Sequence, residues 1–458
     1  MKKITVIFFI SAWACLGLGA CSIYKSYERP DMPVVDSLYR QPTASVDTAS
    51  LATLSWRELF TDPKLQYLIE TGLQNNTDLN IARLKVAEAE ATLMTSRLAY
   101  LPSISFEPSG TLRHAEGSAT TKSYDIAASA GWEIDIFGKL TNAKRGAKAA
   151  LEQSEAYRQA VQTQLIATIA NSYYSLLMLD AQLDISERTA VNWSENVRAM
   201  KALKAAGDAT ELAVSQSEAS KLSVDASVAS LRQQIDQMEN TLTALLGIAP
   251  QKIERTTIAE QEFPTELAAG VPLQLLQRRP DVRQSEAALA QAFYATNAAR
   301  AAFYPSITLS GSAGWTNAAG AAITNPGQWL FTAVGSLVQP LFNRGRNIAN
   351  LRIAKAQQEE ALLSFRQSLL DAGTDVNNAL IQWQTARRRQ ILDEQQIKSL
   401  ESAVRSSELL MQHSSQNYLE VLTARQTLLQ AELTAVSDRF DEIQGVINLY
   451  HALGGGAE

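Results

Sequence analysis

One stretch of this chain is written twice. Asp78 to Ser109 recurs as Asp281 to Ser312 at a constant offset. Asp78 matches Asp281, Arg97 matches Arg300, Pro102 matches Pro305, and Ser103-Ile104 matches Ser306-Ile307; Ala87, Ala89, Ala99 and Ser109 match Ala290, Ala292, Ala302 and Ser312. In each copy an alanine-rich run of helical period ends at a proline, which removes a backbone donor and disfavours helix at the residue before it. Beyond the proline the hydrophobic period becomes two. The length alone would allow about three ordinary domains. The duplication instead predicts two similar halves in one body, each passing from helix to strand at Pro102 or Pro305.

The alternation after Pro102 puts Ile104, Phe106, Gly110 and Leu112 on one face, and Ser103, Ser105, Glu107, Ser109, Thr111 and Arg113 on the other. A return strand carries Tyr124, Ile126, Ala128, Ala130, Trp132, Ile134 and Ile136 opposite Ser123, Asp125, Ser129, Glu133 and Asp135. The second half repeats the plan, with Ile307 to Trp315 and then Trp329 to Leu337. After each hairpin the helical period persists for roughly 65 residues, a rod of roughly 100 Å and about three times a hydrocarbon core. The first rod breaks at Gly207-Asp208-Ala209-Thr210 and the second near His413 to Asn417. The returning helices carry seams such as Leu231, Ile235, Met238, Leu242 and Leu245, spaced as in a coiled coil.

The N-terminus is an address. Met1-Lys2-Lys3 precedes an apolar run from Ile4 to Leu18, too short to span a bilayer comfortably. Leu18-Gly19-Ala20-Cys21 resembles the bacterial lipobox, which implies cleavage before Cys21, acylation of its sulfur and, with Ser22 following, sorting to an outer membrane. Residues 1–20 are then a signal peptide and 21–54 an extended strap. Residues 55–247 form the first repeat, with a β-hairpin at about 103–136 and a helical hairpin at about 139–246. A proline-containing linker covers 248–272. Residues 273–458 form the second repeat, with hairpins at about 306–341 and 347–452.

Strands of about ten residues, aromatic residues near their ends and a lipoprotein address favour strands that cross a membrane over a half-buried soluble sheet. Four such strands force a further conclusion. An open sheet in lipid leaves its edge amides and carbonyls without partners, and the smallest known single-chain bacterial barrels use eight strands. The barrel must therefore be shared between chains. Two chains would give a narrow, plugged barrel, and three would give twelve strands and the beginning of a lumen.

Other chemistry finds little support. The formal net charge of -6 disfavours nucleic acid as a partner. His114, His413 and His451 have no ligand-spaced partners, so neither metal nor any other cofactor is expected. There is no phosphate loop and no nucleophile elbow, so an enzyme is not expected. Arg278-Arg279-Pro280-Asp281 reads as a loop-to-helix cap whose arginines pair with nearby carboxylates.

The chain resembles the outer-membrane efflux proteins, the TolC-like channels, and within them the lipoprotein branch typified by OprM, CusC and NodT. The resemblance rests on Trp56-Arg57-Glu58-Leu59-Phe60 with Asp62-Pro63, Trp132 to Gly138, Leu275 to Asp281, Ala301 to Pro305, Pro340 to Asn343 and Ala452 to Gly456. It implies a mostly helical homotrimer: a twelve-stranded β-barrel on a twelve-helix periplasmic tunnel. It also implies work with a periplasmic adaptor and an inner-membrane transporter of RND type, exporting small molecules. A conduit for type I protein secretion is the alternative within transport, and a periplasmic spacer the alternative outside it. The family's periplasmic gate and adaptor contact map to the two tips: Gly207, Asp208 and Leu212, and Ser414, Ser415, Leu419 and Glu420. Relatives usually carry glycine at the second tip and often aspartate where Thr423 stands, which leaves Asp208 and Glu420 as acidic candidates for the constricting ring.

Overall fold

The computed structural model describes residues 24–32, 54–263, 279–317, 328–413 and 418–456. In chain order the helices are α1 (Trp56–Leu59), α2 (Pro63–Asn75), α3 (Thr77–Leu98), α4 (Lys139–Ala206), α5 (Glu211–Leu245), α6 (Pro280–Ala301), α7 (Arg346–His413) and α8 (Tyr418–Ala452). The strands are β1 (Ser103–Arg113), β2 (Thr121–Ile134), β3 (Ser306–Thr316) and β4 (Gln328–Val338). The chain divides into two compact units. One holds the sheet with the adjoining parts of α3, α4, α6 and α7; the other holds the remaining helical hairpins, the short helices and the linker.

In the sheet unit the strands form an antiparallel meander in the order β1-β2-β3-β4. The register aligns one apolar face across all four strands: Phe106, Ala128, Ala313 and Phe331 share a row, and Pro108, Ile126, Trp315 and Trp329 share the next. The Trp315 and Trp329 rings lie 4.3 Å apart. On the opposite face Ser105, Ser129, Ser312 and Thr332 share a row, and the Ser105 and Ser129 hydroxyls are 2.7 Å apart. β4 departs from this polar face, because Leu330, Val334 and Val338 fall on it. β1 and β4 are exposed on both faces and leave their outer edges unpaired among the described residues. All four helix connections enter the sheet at one end, through Pro102, Ile136, Pro305 and Pro340. Residues 24–29 lie extended along α6: the Tyr27 ring meets Phe293 edge to face, and Arg29 pairs with Glu286.

In the helical unit the core is built from small and aliphatic residues around two tyrosines. Ile166, Ile169, Tyr173, Tyr174 and Leu177 of α4 are buried, with Leu65 and Ile69 of α2 and Ile443, Val446 and Ile447 of α8. Close helix approach is paid for in side-chain size: a β-carbon at Gly445 would stand 2.9 Å from the Trp383 backbone. Two polar clamps hold the linker after α5. Asp62 is the N-cap of α2, accepting from Lys64 N at 2.8 Å, and also accepts from Tyr173 at 2.6 Å and from Thr256 and Gln261. Burial opposes its ionisation, but these hydrogen bonds outweigh burial and hold the carboxyl below its usual range. Arg255 spans Asp180 on α4 and Glu239 on α5. In sequence Thr77-Asp78 reads as the cap of α3, but the cap lies one residue earlier. Thr77 is already helical, and Asn76 caps it by accepting from Leu79 N at 3.0 Å while donating to the Leu245 carbonyl at 2.9 Å.

The β2–β3 contact depends on one residue without a side chain. A β-carbon at Gly314 would lie 2.6 Å from Ala127 Cα, whereas one at Gly110 would meet nothing within 4 Å. Gly314→Leu is expected to destabilise the sheet by about 1–3 kcal/mol or more, read as a fall in the thermal midpoint and in folded yield, and Gly110→Leu to be nearly silent. Equal losses in both variants would rule out this packing account.

Candidate functional site

The first helical tip is a compact turn. α4 ends at Ala206, and Gly207 takes φ +89°, so Gly207 N donates to the Lys204 carbonyl at 3.0 Å and Asp208 N to the Leu203 carbonyl at 2.9 Å. Thr210 then caps α5, accepting from Ala213 N at 3.2 Å. Asp208 is exposed, as is Leu212. At the second tip α7 ends at His413 and α8 begins at Tyr418. Ser414 and Ser415 lie outside the described residues, as does Cys21. Leu419 and Glu420 are exposed in the first turn of α8, where a carboxylate is favoured by the helix dipole.

The two tips are joined by a residue that sequence reasoning passed over. Tyr418 is buried with Met200 and Val214, and Leu203, Ala213, Met411 and Leu422 pack around them. Its hydroxyl meets Ser217 Oγ on α5, and Ser217 in turn donates to Asn196 Oδ1 on α4 at 3.0 Å. Burial, first of all, pushes the Tyr418 phenol pKa up, so this is a neutral hydrogen bond at physiological pH. Asp208, Leu212 and Leu419 line a cavity of about 380 Å³ with Met411 and Tyr418; Gly207 and Glu420 do not line it. A signal was available: Tyr418 is the aromatic residue that resumes the helical seam directly after the break at His413 to Asn417. A few turns along, Arg425 donates twice to Glu408, tying α8 to α7.

Of the other sequence candidates, Pro102 and Pro305 lie between the helix and strand of each repeat. Arg279 is buried, bonded to Asp281 and Asp375 and donating to the Ala452 carbonyl at 3.0 Å, while Asp281 accepts from Val282 N at 2.9 Å to cap α6. That is scaffold chemistry; Arg278 lies outside the described residues. Among the described residues no group of histidine, cysteine and carboxylate side chains is placed to hold a metal ion.

The comparison with known sequences settles the class. The family model for outer membrane efflux proteins matches residues 68–248 and 271–455, once for each half. The chain belongs to that family. It is therefore an outer-membrane efflux protein. The cation efflux system protein CusC of Escherichia coli O6:H1 is 30% identical over 445 residues, 96% of this chain and 97% of that one. The probable outer membrane lipoprotein SilC of Salmonella typhimurium is 28% identical over 460 residues, covering 100% and 98%. The open state of the outer membrane channel MtrE of Neisseria gonorrhoeae matches with a TM-score of 0.87 at 28% identity, over 96% of this chain and 99% of that one.

Midway along the second hairpin stands a titratable pair. Asp438 of α8 is fully buried, and neither of its carboxylate oxygens nor Asp393 Oδ2 on α7 has a hydrogen-bond donor. Arg389 stands beside Asp438 as an ion pair and also reaches Asp441 at 3.5 Å, without the angle for a hydrogen bond to Asp438. Burial, then the facing Asp393, raises the Asp438 pKa to about 6. The folded hairpin thus holds a proton that the unfolded chain releases, so its stability is full in acid and falls as pH rises through about 6. The protection of α7 and α8 amides relative to their intrinsic exchange rates is expected to fall across that window in the wild type and to stay flat in Asp438→Asn; wild-type protection without slope there would refute the shared proton.

Proposed function

We propose that this chain is the passive outer-membrane duct of a tripartite efflux pump, working as a homotrimer with a periplasmic adaptor and an inner-membrane transporter of RND type. The observation that carries the oligomer is the sheet itself, with two unpaired edges on a four-stranded meander in an outer-membrane protein. Three copies close twelve strands and enclose a lumen. Cys21 is the acylated anchor, and the strap along α6 leads to it, since the Tyr24 ring covers Gly138 at the helix end of the sheet, where a β-carbon on that glycine would lie 3.4 Å from it. Small-molecule export is preferred to protein secretion because CusC is a cation efflux protein by name and matches almost end to end.

The tips form the periplasmic gate, with Asp208, Leu212, Leu419 and Glu420 exposed for the adaptor and Tyr418–Ser217 as the tie between hairpins. One neutral hydrogen bond contributes about 1 kcal/mol, so three symmetric copies hold the closed state by about 3 kcal/mol, roughly a hundred-fold in the opening equilibrium. Tyr418→Phe is therefore expected to raise the open fraction of the purified protein in planar bilayers by up to that factor. An unchanged closed conductance would remove Tyr418 from the gate. No conductance at all, even with Asp208→Asn and Glu420→Gln, would favour a spacer over a duct.

A further inference from the structure

Charge is distributed unevenly along this chain. No Asp or Glu occurs between Glu286 and Glu359, while Arg300, Arg344, Arg346, Arg352 and Lys355 do. Four of these five cations crowd together directly beyond the end of β4, Arg344 just before α7 and the other three in its first turns. Arg344, Arg346, Arg352 and Lys355 are all exposed, and none has a carboxylate partner among the described residues. The first turn of α7 holds no acidic residue, so the positive end of the helix adds to the side-chain charge instead of being offset by it. Arg344 has φ +47°, the only described non-glycine residue in the left-handed region, so the cation is kept at a backbone position that favours glycine.

Between strand and helix two apolar side chains are bare on the single protomer. Leu341 is 94% exposed and Phe342 87%. On the same end of the sheet Leu101 and Tyr304 are exposed, and the Trp132 indole donates to the Tyr100 carbonyl at 2.9 Å. An apolar and aromatic tier followed within about 14 Å of helix by unpaired cations complements one kind of surface, a bilayer edge with its acyl region above and phosphates below.

We propose that the β4–α7 junction is a docking site for anionic phospholipid: Leu341 and Phe342 enter the edge of the acyl region, and Arg344 and Arg346, backed by Arg352 and Lys355, bind the headgroup phosphates. The site rests on the reading of the strands as membrane-spanning with their helix end towards the periplasm, and it then lies in the leaflet that receives the Cys21 lipid. It holds the duct at a fixed height in the membrane.

The test uses the full-length protein reconstituted in nanodiscs of mixed phosphatidylcholine and phosphatidylglycerol, then weighed with its retained lipid by native mass spectrometry. The wild type is expected to retain phosphatidylglycerol preferentially. The double variant Arg344→Gln/Arg346→Gln is expected to lose about five-fold of that preference per removed cation, and Lys204→Gln at the helical tip to lose none. No preference in the wild type overturns the site, and so does a preference that survives the double variant. Unchanged lipid retention with weakened oligomers would assign the two arginines to a neighbouring copy instead. Planar-bilayer conductance of the wild type is read in parallel, so a protein that conducts without the lipid preference loses this site and keeps its function.

Discussion

Backbone amides and carbonyls at a sheet edge must find partners, and in lipid there is no water to supply them. β1 and β4 present two such edges, and no other described strand covers them. The apolar face aligned across Phe106, Ala128, Ala313 and Phe331 suits a lipid environment, so solvation of those edges is not available as a remedy. Closure between copies satisfies both edges at once. The duplication makes this economical, since each repeat supplies one hairpin and the β2–β3 pairing joins the two hairpins into one sheet. Gly314 matters for that reason: it sits in the seam between repeats, where a side chain would force the hairpins apart.

The helical unit is held by polar networks of graded strength. At the stem, Asp62 gathers Tyr173, Thr256 and Gln261, and Arg255 bridges Asp180 and Glu239, so the linker is fixed by charge-assisted bonds in partly buried surroundings. Midway, Asp438 and Asp393 face each other across α7 and α8 and depend on a proton. At the tips the hairpins meet through one neutral hydrogen-bonded chain and a small apolar cluster.

Much of the architecture was legible in the sequence because it rests on period and punctuation. The change from helical to strand period at Pro102 and Pro305, the glycine at 207 and the absence of proline along each rod are local signals, and each acts through backbone sterics. What was not legible depends on distant pairings. Tyr418 reads as one more seam residue until α5 places Ser217 against it. Asp438 reads as a solvated charge until α7 places Asp393 beside it. The cap of α3 was misplaced by one residue because Asn76, Thr77 and Asp78 are all good capping residues, and only the tertiary bond from Asn76 to Leu245 decides among them. The polar face read on β1 and β2 does not carry through to β4, whose Leu330, Val334 and Val338 face that side.

The gradient from stem to tip bears on how a duct of this kind can open without coming apart. An opening that separates the tips must break Tyr418–Ser217 and expose Met200 and Val214, contacts worth a few kcal/mol in all. Separation at the stem would leave Asp62, Asp180 and Glu239 as charges stripped of their partners, a cost several times larger per group. Close packing at Gly445 against the Trp383 backbone adds a steric reason for α7 and α8 to stay registered above the tip. The motion of lowest cost is therefore a splaying of the tips about a fixed stem. In the proposed pump assembly the residues exposed there, Asp208, Leu212, Leu419 and Glu420, are the ones an adaptor would reach before the tie is broken. An adaptor that binds the splayed tips better than the closed ones shifts the equilibrium by its differential affinity alone, and the weakness of a single neutral bond per copy keeps that requirement small.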